Sequence, residues 1–360
     1  MLSKAAGDRR RKVLVIDVKK AHLNPKCDQE VFIELPGEAG AGPGRCGRLA
    51  HWLYGFRPAA QAWENHYAGK LEEIGFRRGT LSPVSFWNEE KGLAGLVHGD
   101  DFTFVGEDGD LDMVEEKMKE WYDIKVKARF GPGDGDCKEV GVLGRTLRCT
   151  KDGYEYEADP KHRKLVFEQL GMDENSKGLK VNGRVEEEKE EGEMQGAEVT
   201  SFRAVAARLN YLAQDSPDAQ FSAKEVCREM SRPSASSWRR LKVLARFLLE
   251  REKVVWKFGW QDEAGGMHME LYTDSDWAGC RRTRRSTSGG AIKIGMHCVK
   301  TWSSTQMPLA LSSAEAEYYA MVDGGDESAR SDGHGKGAGR CGRGAHRIVL
   351  GLVGSQGVCF

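Results

Sequence analysis

The stretch GLVHGDDFTFVG at 95–106 constrains this chain more than any other. Apolar runs on either side of Asp100 and Asp101, with flanking glycines, predict two short strands joined by a tight turn that carries both acids at its tip. Adjacent carboxylates repel one another, so a fold gains nothing by placing them there. A second apolar run, KVLVIDV at 12–18, predicts a buried strand that reaches another acid, Asp17. Three carboxylates at strand ends of one mixed sheet can share two divalent ions about 3.5–4 Å apart, the arrangement that serves phosphoryl transfer. Such ions also remove the repulsion, because they neutralise the acids. An acid pair in a turn is weakly specific by itself; two apolar strands that both deliver acids are more so.

The remaining pattern is that of an α+β chain. AAQAWENHYAGKLEEIGF places Trp63, Tyr67, Leu71 and Ile74 on one helical stripe, and LDMVEEKMKEWYDI does the same with Leu111, Val114, Met118 and Trp121. QEVFIELP alternates like a strand, and VGVLGRTLRC with GYEYEA predicts a small closing sheet. The stretch around VEEEKEEGEM is acidic and poor in apolar residues, which predicts a linker. SFRAVAARLNYLAQ and SSWRRLKVLARFLLE are expected helices, the second turning Trp238, Leu241, Leu244 and Leu248 to a core. Between Ser222 and Trp260 ten Lys/Arg face four Asp/Glu, an excess that suits either a phosphate backbone or a solvated helix face. From 269 the chain reads as strands and then a helix, and beyond Val322 as a glycine-rich tail expected to be disordered. The net charge of −1 says nothing about a polyanionic partner. Nine cysteines without a C-x-x-C pair suggest reduced thiols rather than disulfides or a zinc site. No apolar run approaches the roughly 20 residues of a membrane span, and no secretory leader is expected, so the location expected is intracellular, in cytoplasm or nucleus.

Seven ordered segments carry a family resemblance. VIDVKKAHLNPKCDQEVFIELP, GRLAHWLYGFRPAAQAWENHY and GLVHGDDFTFVG resemble the catalytic motifs of copia-type retrotransposon reverse transcriptases. YTDSDWAG, RRSTSGG and ALSSAEAEYYA are similar to the ribonuclease H part of the same polyproteins, and 202–248 to the segment that joins the two. The resemblance implies a mixed palm-like sheet with helices at 1–170, an acidic linker at 171–199, a helical connection at 200–258, a partial ribonuclease H-like domain at 259–322 and the tail at 323–360. It implies RNA-directed DNA polymerisation with Mg²⁺ or Mn²⁺, a primed RNA or DNA template and deoxynucleotide triphosphates, without a membrane partner; the oligomeric state stays open.

Residue by residue, the resemblance makes Asp17, Asp100 and Asp101 the catalytic, metal-binding acids of the polymerase. His22 falls where the family has an aromatic that excludes the ribose 2′-hydroxyl, so selection against ribonucleotides is expected to weaken. Gly55, Phe56, Arg57 and Pro58 match the segment supporting template and nucleotide, and Lys125 the position of a lysine beside the pyrophosphate. His98 and Gly99 depart from the family's residues before the acids, and the glycine is expected to loosen the hairpin. Asp274 and Glu317 match ribonuclease H acids, with Asp276 and Glu315 as alternates two residues away; the two glutamates lie roughly 200° apart on a helix, so only one points into a site. A third and fourth acid are missing, since Asp323, Asp326 and Asp332 fall in the tail. The usual fingers sequence ahead of the first motif is also expected to be absent. A catalytically dead relic that at most binds nucleic acid through 222–260 and 281–285 is the alternative, and an unrelated two-metal nuclease a third reading.

Overall fold

The computed structural model describes residues 1–42, 44–173, 175–181, 192–251, 253–261, 268–332 and 347–350. They fall into two compact units, one built on Met1–Lys138 and the other on Glu139–Ser328.

The first unit opens with a short helix, α1 (Leu2–Ala5), and the strand β1 (Arg11–Val18). β1 is buried from Val13 to Ile16 without alternation, because β-branched and leucine side chains cover both of its faces. β2 (Phe32–Glu34) and β3 (Cys46–Arg48) form a separate two-stranded ribbon. Then come α2 (Arg57–Glu73), β4 (Arg77–Arg78), β5 (Ser85–Asn88), β6 (Leu93–His98), β7 (Asp101–Glu107), α3 (Asp108–Trp121) and β8 (Ile124–Phe130). The main sheet has the order β4-β5-β6-β7-β1-β8, all antiparallel. α2 buries Trp63, Tyr67 and Leu71, and α3 buries Leu111, Val114 and Met118, in one cluster with Phe86, Phe102 and Phe104. Pro58 in the first turn of α2 lacks only an N–H that the helix leaves unpaired there. Both helical stripes expected from the sequence therefore face the core, with Ile74 and Trp121 partly buried at its margin.

The pairing of β1 with β8 carries one irregularity. Val15 stands opposite Ala128 but Ile16 opposite Val126, so Lys127 is an extra residue in β8, a β-bulge.

In the second unit β9 (Glu139–Val142), β10 (Arg145–Thr150) and β11 (Gly153–Glu157) form the expected small sheet. Four helices follow: α4 (Pro160–Gln169), α5 (Ala197–Ala213), α6 (Pro217–Arg228) and α7 (Ala235–Glu250). Ser234 and Ser237 close the start of α7 with a reciprocal capping box. These helices pack Val166, Phe202, Leu209, Leu241, Leu244 and Phe247 into a second core. β12 (Val255–Gly259) then pairs with β11, giving the order β12-β11-β10-β9. That pairing ties 139–157 to the chain after it, and the compact units divide after Lys138 rather than at 170. Most of the acidic run, 182–191, lies outside the described residues, but α5 already begins at Ala197, within the stretch read as linker.

β13 (Met269–Asp276), β14 (Thr287–Ile294) and β15 (His297–Thr305) form an antiparallel meander, followed by α8 (Ser313–Asp332). β16 (Arg347–Leu350) adds to β13 in parallel, giving β15-β14-β13-β16. The tail expected at 323–360 is thus helical as far as Asp332 and returns as a strand at 347–350; residues 333–346 and 351–360 lie outside the described residues. Gly324 explains the helix. A Cβ there would lie 2.5 Å from Thr273 Cγ2, so glycine is what lets α8 approach the sheet this closely. Among the described residues no helix is long and apolar enough to cross a membrane, and the described cysteines are free thiols.

Candidate active site

The hairpin of β6 and β7 sets His98 opposite Asp101, which leaves Gly99 and Asp100 as a two-residue turn. Gly99 adopts φ +66°, a left-handed value that this turn demands and that glycine adopts without strain. The turn is also anchored: Trp63 of α2 donates its Nε1–H to the Gly99 carbonyl at 2.8 Å. The loosening expected from Gly99 is therefore not what the structure shows. Val18 N–H donates to the Asp100 carbonyl at 2.9 Å, which brings the tip against the end of β1.

Asp17 and Asp101 stand directly opposite one another on β1 and β7. Like charges so placed repel. The ammonium of Lys127 lies between them, 3.0 Å from Asp17 Oδ2 and 2.5 Å from Asp101 Oδ1. Partial burial works against the charged lysine, but the two carboxylates outweigh it and hold its pKa above the ordinary value. Lys125, the lysine singled out from the sequence, faces Asp17 across the β1–β8 pairing, yet it is Lys127 that bridges the acids. Alternation alone puts both lysines on one face of β8; the bulge at Lys127 changes its aim, and no local signal announces a bulge. Asp100 is exposed at the tip.

His22 lies in the turn Ala21–Leu23 just after β1, its ring 4.6 Å from that of Tyr54 and inclined by 31°. Its Nδ1 is buried and has no hydrogen-bond partner. Gly55 follows Tyr54 with φ +91°, and the exposed Arg57 opens α2. No pattern in the sequence singles out Tyr54, and helical spacing alone reads Trp63 as a core residue and nothing more.

As donors, Asp17 and Asp101 offer hard oxygens side by side, with Asp100 exposed on the adjoining turn, a chemistry that suits Mg²⁺ or Mn²⁺. A cation already sits between two of them in the form of Lys127, so the site has a place for positive charge. Among the described residues no three His, Cys, Asp or Glu side chains converge as a ready metal centre.

In the second unit Glu317 Oε1 accepts hydrogen bonds from Ser275 N–H and Oγ–H at 3.3 and 2.9 Å, beside Asp274. Burial raises the Asp274 carboxyl pKa, against a lowering hydrogen bond from Ser275. Glu315 turns elsewhere: it accepts from Leu311 N–H and Tyr319 O–H at the start of α8, contacts that lower its pKa. Asp276 accepts from Thr287 N–H, and Asp323 accepts from Ser288 Oγ–H at 2.9 Å; Asp326 is exposed. The basic residues at 222–260 are largely drawn into ion pairs, Arg228 with Glu225, Arg240 with Glu229, Arg251 with Asp218 and Lys253 with Glu157. Arg282 of the 281–285 cluster also pairs with Glu229.

Residues 1–131 match the family model described as reverse transcriptase (RNA-dependent DNA polymerase). An uncharacterized mitochondrial protein of Arabidopsis thaliana, AtMg00810, is 30% identical over 124 residues, 34% of this chain and 50% of that protein. The retrovirus-related Pol polyprotein from transposon TNT 1-94 of Nicotiana tabacum is 24% identical over 328 residues, 87% of this chain. The chain spans half the length of the first relative and 24% of the second. A solved foamy viral protease–reverse transcriptase in complex with an RNA/DNA hybrid has a similar fold, with a TM-score of 0.53 at 11% identity over 91% of this chain and 38% of that one. The family match therefore places residues 1–131 with reverse transcriptase domains, and the fold is of the same kind. Over most of its length the chain is similar to retrovirus-related Pol polyproteins of copia-type transposons.

Proposed function

We propose that the first unit is an RNA-directed DNA polymerase site in which Asp17, Asp100 and Asp101 hold Mg²⁺ or Mn²⁺. The observation that carries this is the placing of Asp17 opposite Asp101, with the Asp100 backbone against the end of β1. A divalent ion bound there supplies activation of the primer 3′-hydroxyl and compensates charge on the leaving pyrophosphate. The chain's own part is positioning. Trp63 fixes the turn, and His22, inclined against Tyr54, follows the acid strand, where it would meet the sugar of an incoming deoxynucleotide triphosphate. An imidazole, smaller than a phenyl or phenol ring, leaves a 2′-hydroxyl more room there, which weakens discrimination against ribonucleotides. Arg57 and Lys125, both exposed, are the cations we assign to template and triphosphate phosphates, Lys125 standing opposite Asp17. In the second unit Asp274 and Glu317 are the acids of a ribonuclease H-like remnant, and the hydrogen bonds from Ser275 tie up Glu317.

Primer extension on an RNA template with deoxynucleotide triphosphates and Mg²⁺ tests this. Extension by the chain, reduced at least about 100-fold in Asp17→Asn and in Asp101→Asn, is the expected result, since electrostatic terms dominate such catalysis. The lysine between the acids favours a second reading, a relic that binds a primed template without extending it. Retention of the primed template in a gel-shift assay with no extension under Mg²⁺ or Mn²⁺ would establish that reading instead.

A further inference from the structure

We propose that Lys127 is an internal counterion that a divalent ion has to displace, so that this residue, and not only the acids, sets the metal affinity of the site. The inference rests on the reading that Asp17 and Asp101 hold metal. Three observations carry it. The ammonium lies within 3.0 Å of Asp17 and 2.5 Å of Asp101, where it occupies the position between the two carboxylates that an ion shared by them needs. The side chains are only 29%, 20% and 32% exposed for Asp17, Asp101 and Lys127, so water and salt screen the cluster incompletely. And the lysine is there because of the bulge: an unbroken β8 would set Lys127, not Val126, opposite Ile16 and turn the ammonium differently. A bulge at this point, on the strand flanking β1, aims a cation at the acids.

The consequence is a competition. With Lys127 in place the acids are neutralised and their repulsion is relieved without metal. An arriving divalent ion gains the two carboxylates only by breaking both ion pairs and meeting the ammonium's charge at short range. A neutral side chain of similar length removes that opposing term and leaves the carboxylates, and hence the attraction, intact.

Binding of Mn²⁺ to the full chain, followed by the electron paramagnetic resonance signal of the free ion, tests this without reference to activity. Lys127→Met is expected to bind at least about ten-fold more tightly than the parent, given the strength of a unit charge at this range. Lys127→Arg, which keeps the charge, should stay near the parent, and adding Asp17→Asn to Lys127→Met should remove the gain. Circular dichroism confirms that each variant is folded, and Lys127→Gln replaces Lys127→Met should the latter not fold. Equal affinity of parent and neutral variant, with binding still lost in Asp17→Asn, overturns the counterion and leaves the metal site standing. Binding that no substitution at Asp17 or Asp101 alters overturns the acid site itself, and the counterion with it.

Discussion

Trp63 does two things with one side chain. Its ring packs against Tyr67, Phe102 and Tyr122 in the core, and its Nε1–H reaches out to hold the acid-bearing turn through the Gly99 carbonyl. Trp63→Phe keeps most of the packing and leaves that carbonyl without its donor. We expect a loss of about 0.5–1.5 kcal/mol in urea unfolding, the usual net worth of a hydrogen bond whose acceptor water can then reach. Extension activity should fall further than stability explains, because the turn then wanders; unchanged turnover in a measurably destabilised variant would show that the anchor is structural only. The sequence made the ring's place on the helix legible through its spacing. It could not show the hydrogen bond, because Trp63 and Gly99 meet only once the sheet is assembled.

At the scale of elements, α3 is tied to β8 by charge. Arg129 pairs with Asp108, Asp112 and Glu115, and Lys12 with Asp108 and Asp136. Burial raises the pKa values of Asp108 and Glu115, but hydrogen bonds and attraction from Lys12, Lys119 and Arg129 outweigh it, so both end below their ordinary values. For carboxylates depressed on folding, the stabilisation is present above the unfolded pKa and is lost as pH falls through the folded one. Stability should therefore decline between about pH 5 and pH 2, and Arg129→Met should flatten that decline. Urea midpoints across this range decide it; parallel acid limbs for the two proteins would rule the clamp out. The helices themselves were readable from their apolar stripes, as was the strand that ends near Asp17. The pairing of β12 with β11 was not, since partners about a hundred residues apart leave no periodic trace. The end of α8 is hidden for a different reason: the glycine-rich composition beyond Val322 reads as a tail, yet Gly324 is the contact surface of a helix pressed on Thr273.

For the whole molecule, the two cores share no residue. The first is drawn entirely from between Leu14 and Val126, the second from between Val166 and Leu248. A fragment comprising 1–138 should therefore fold by itself and unfold in one cooperative transition. Circular dichroism during urea titration checks this, and a gradual, non-cooperative signal would mean that the first core needs the rest of the chain. The bulged lysine bears on how that core assembles. β1 is apolar on both faces from Val13 to Ile16, so hydrophobic patterning alone does little to forbid a slip of one residue against β7. Such a slip sets Asp17 against Phe102 in one direction or against Asp100 of the turn in the other, and either undoes the pairing of Asp17 with Asp101. The ion cluster is thus an alignment mark for the growing sheet: only one pairing of β1 with β7 lets Lys127 satisfy both acids, and chains that zip up wrongly are left with an unpaired charge to undo the error.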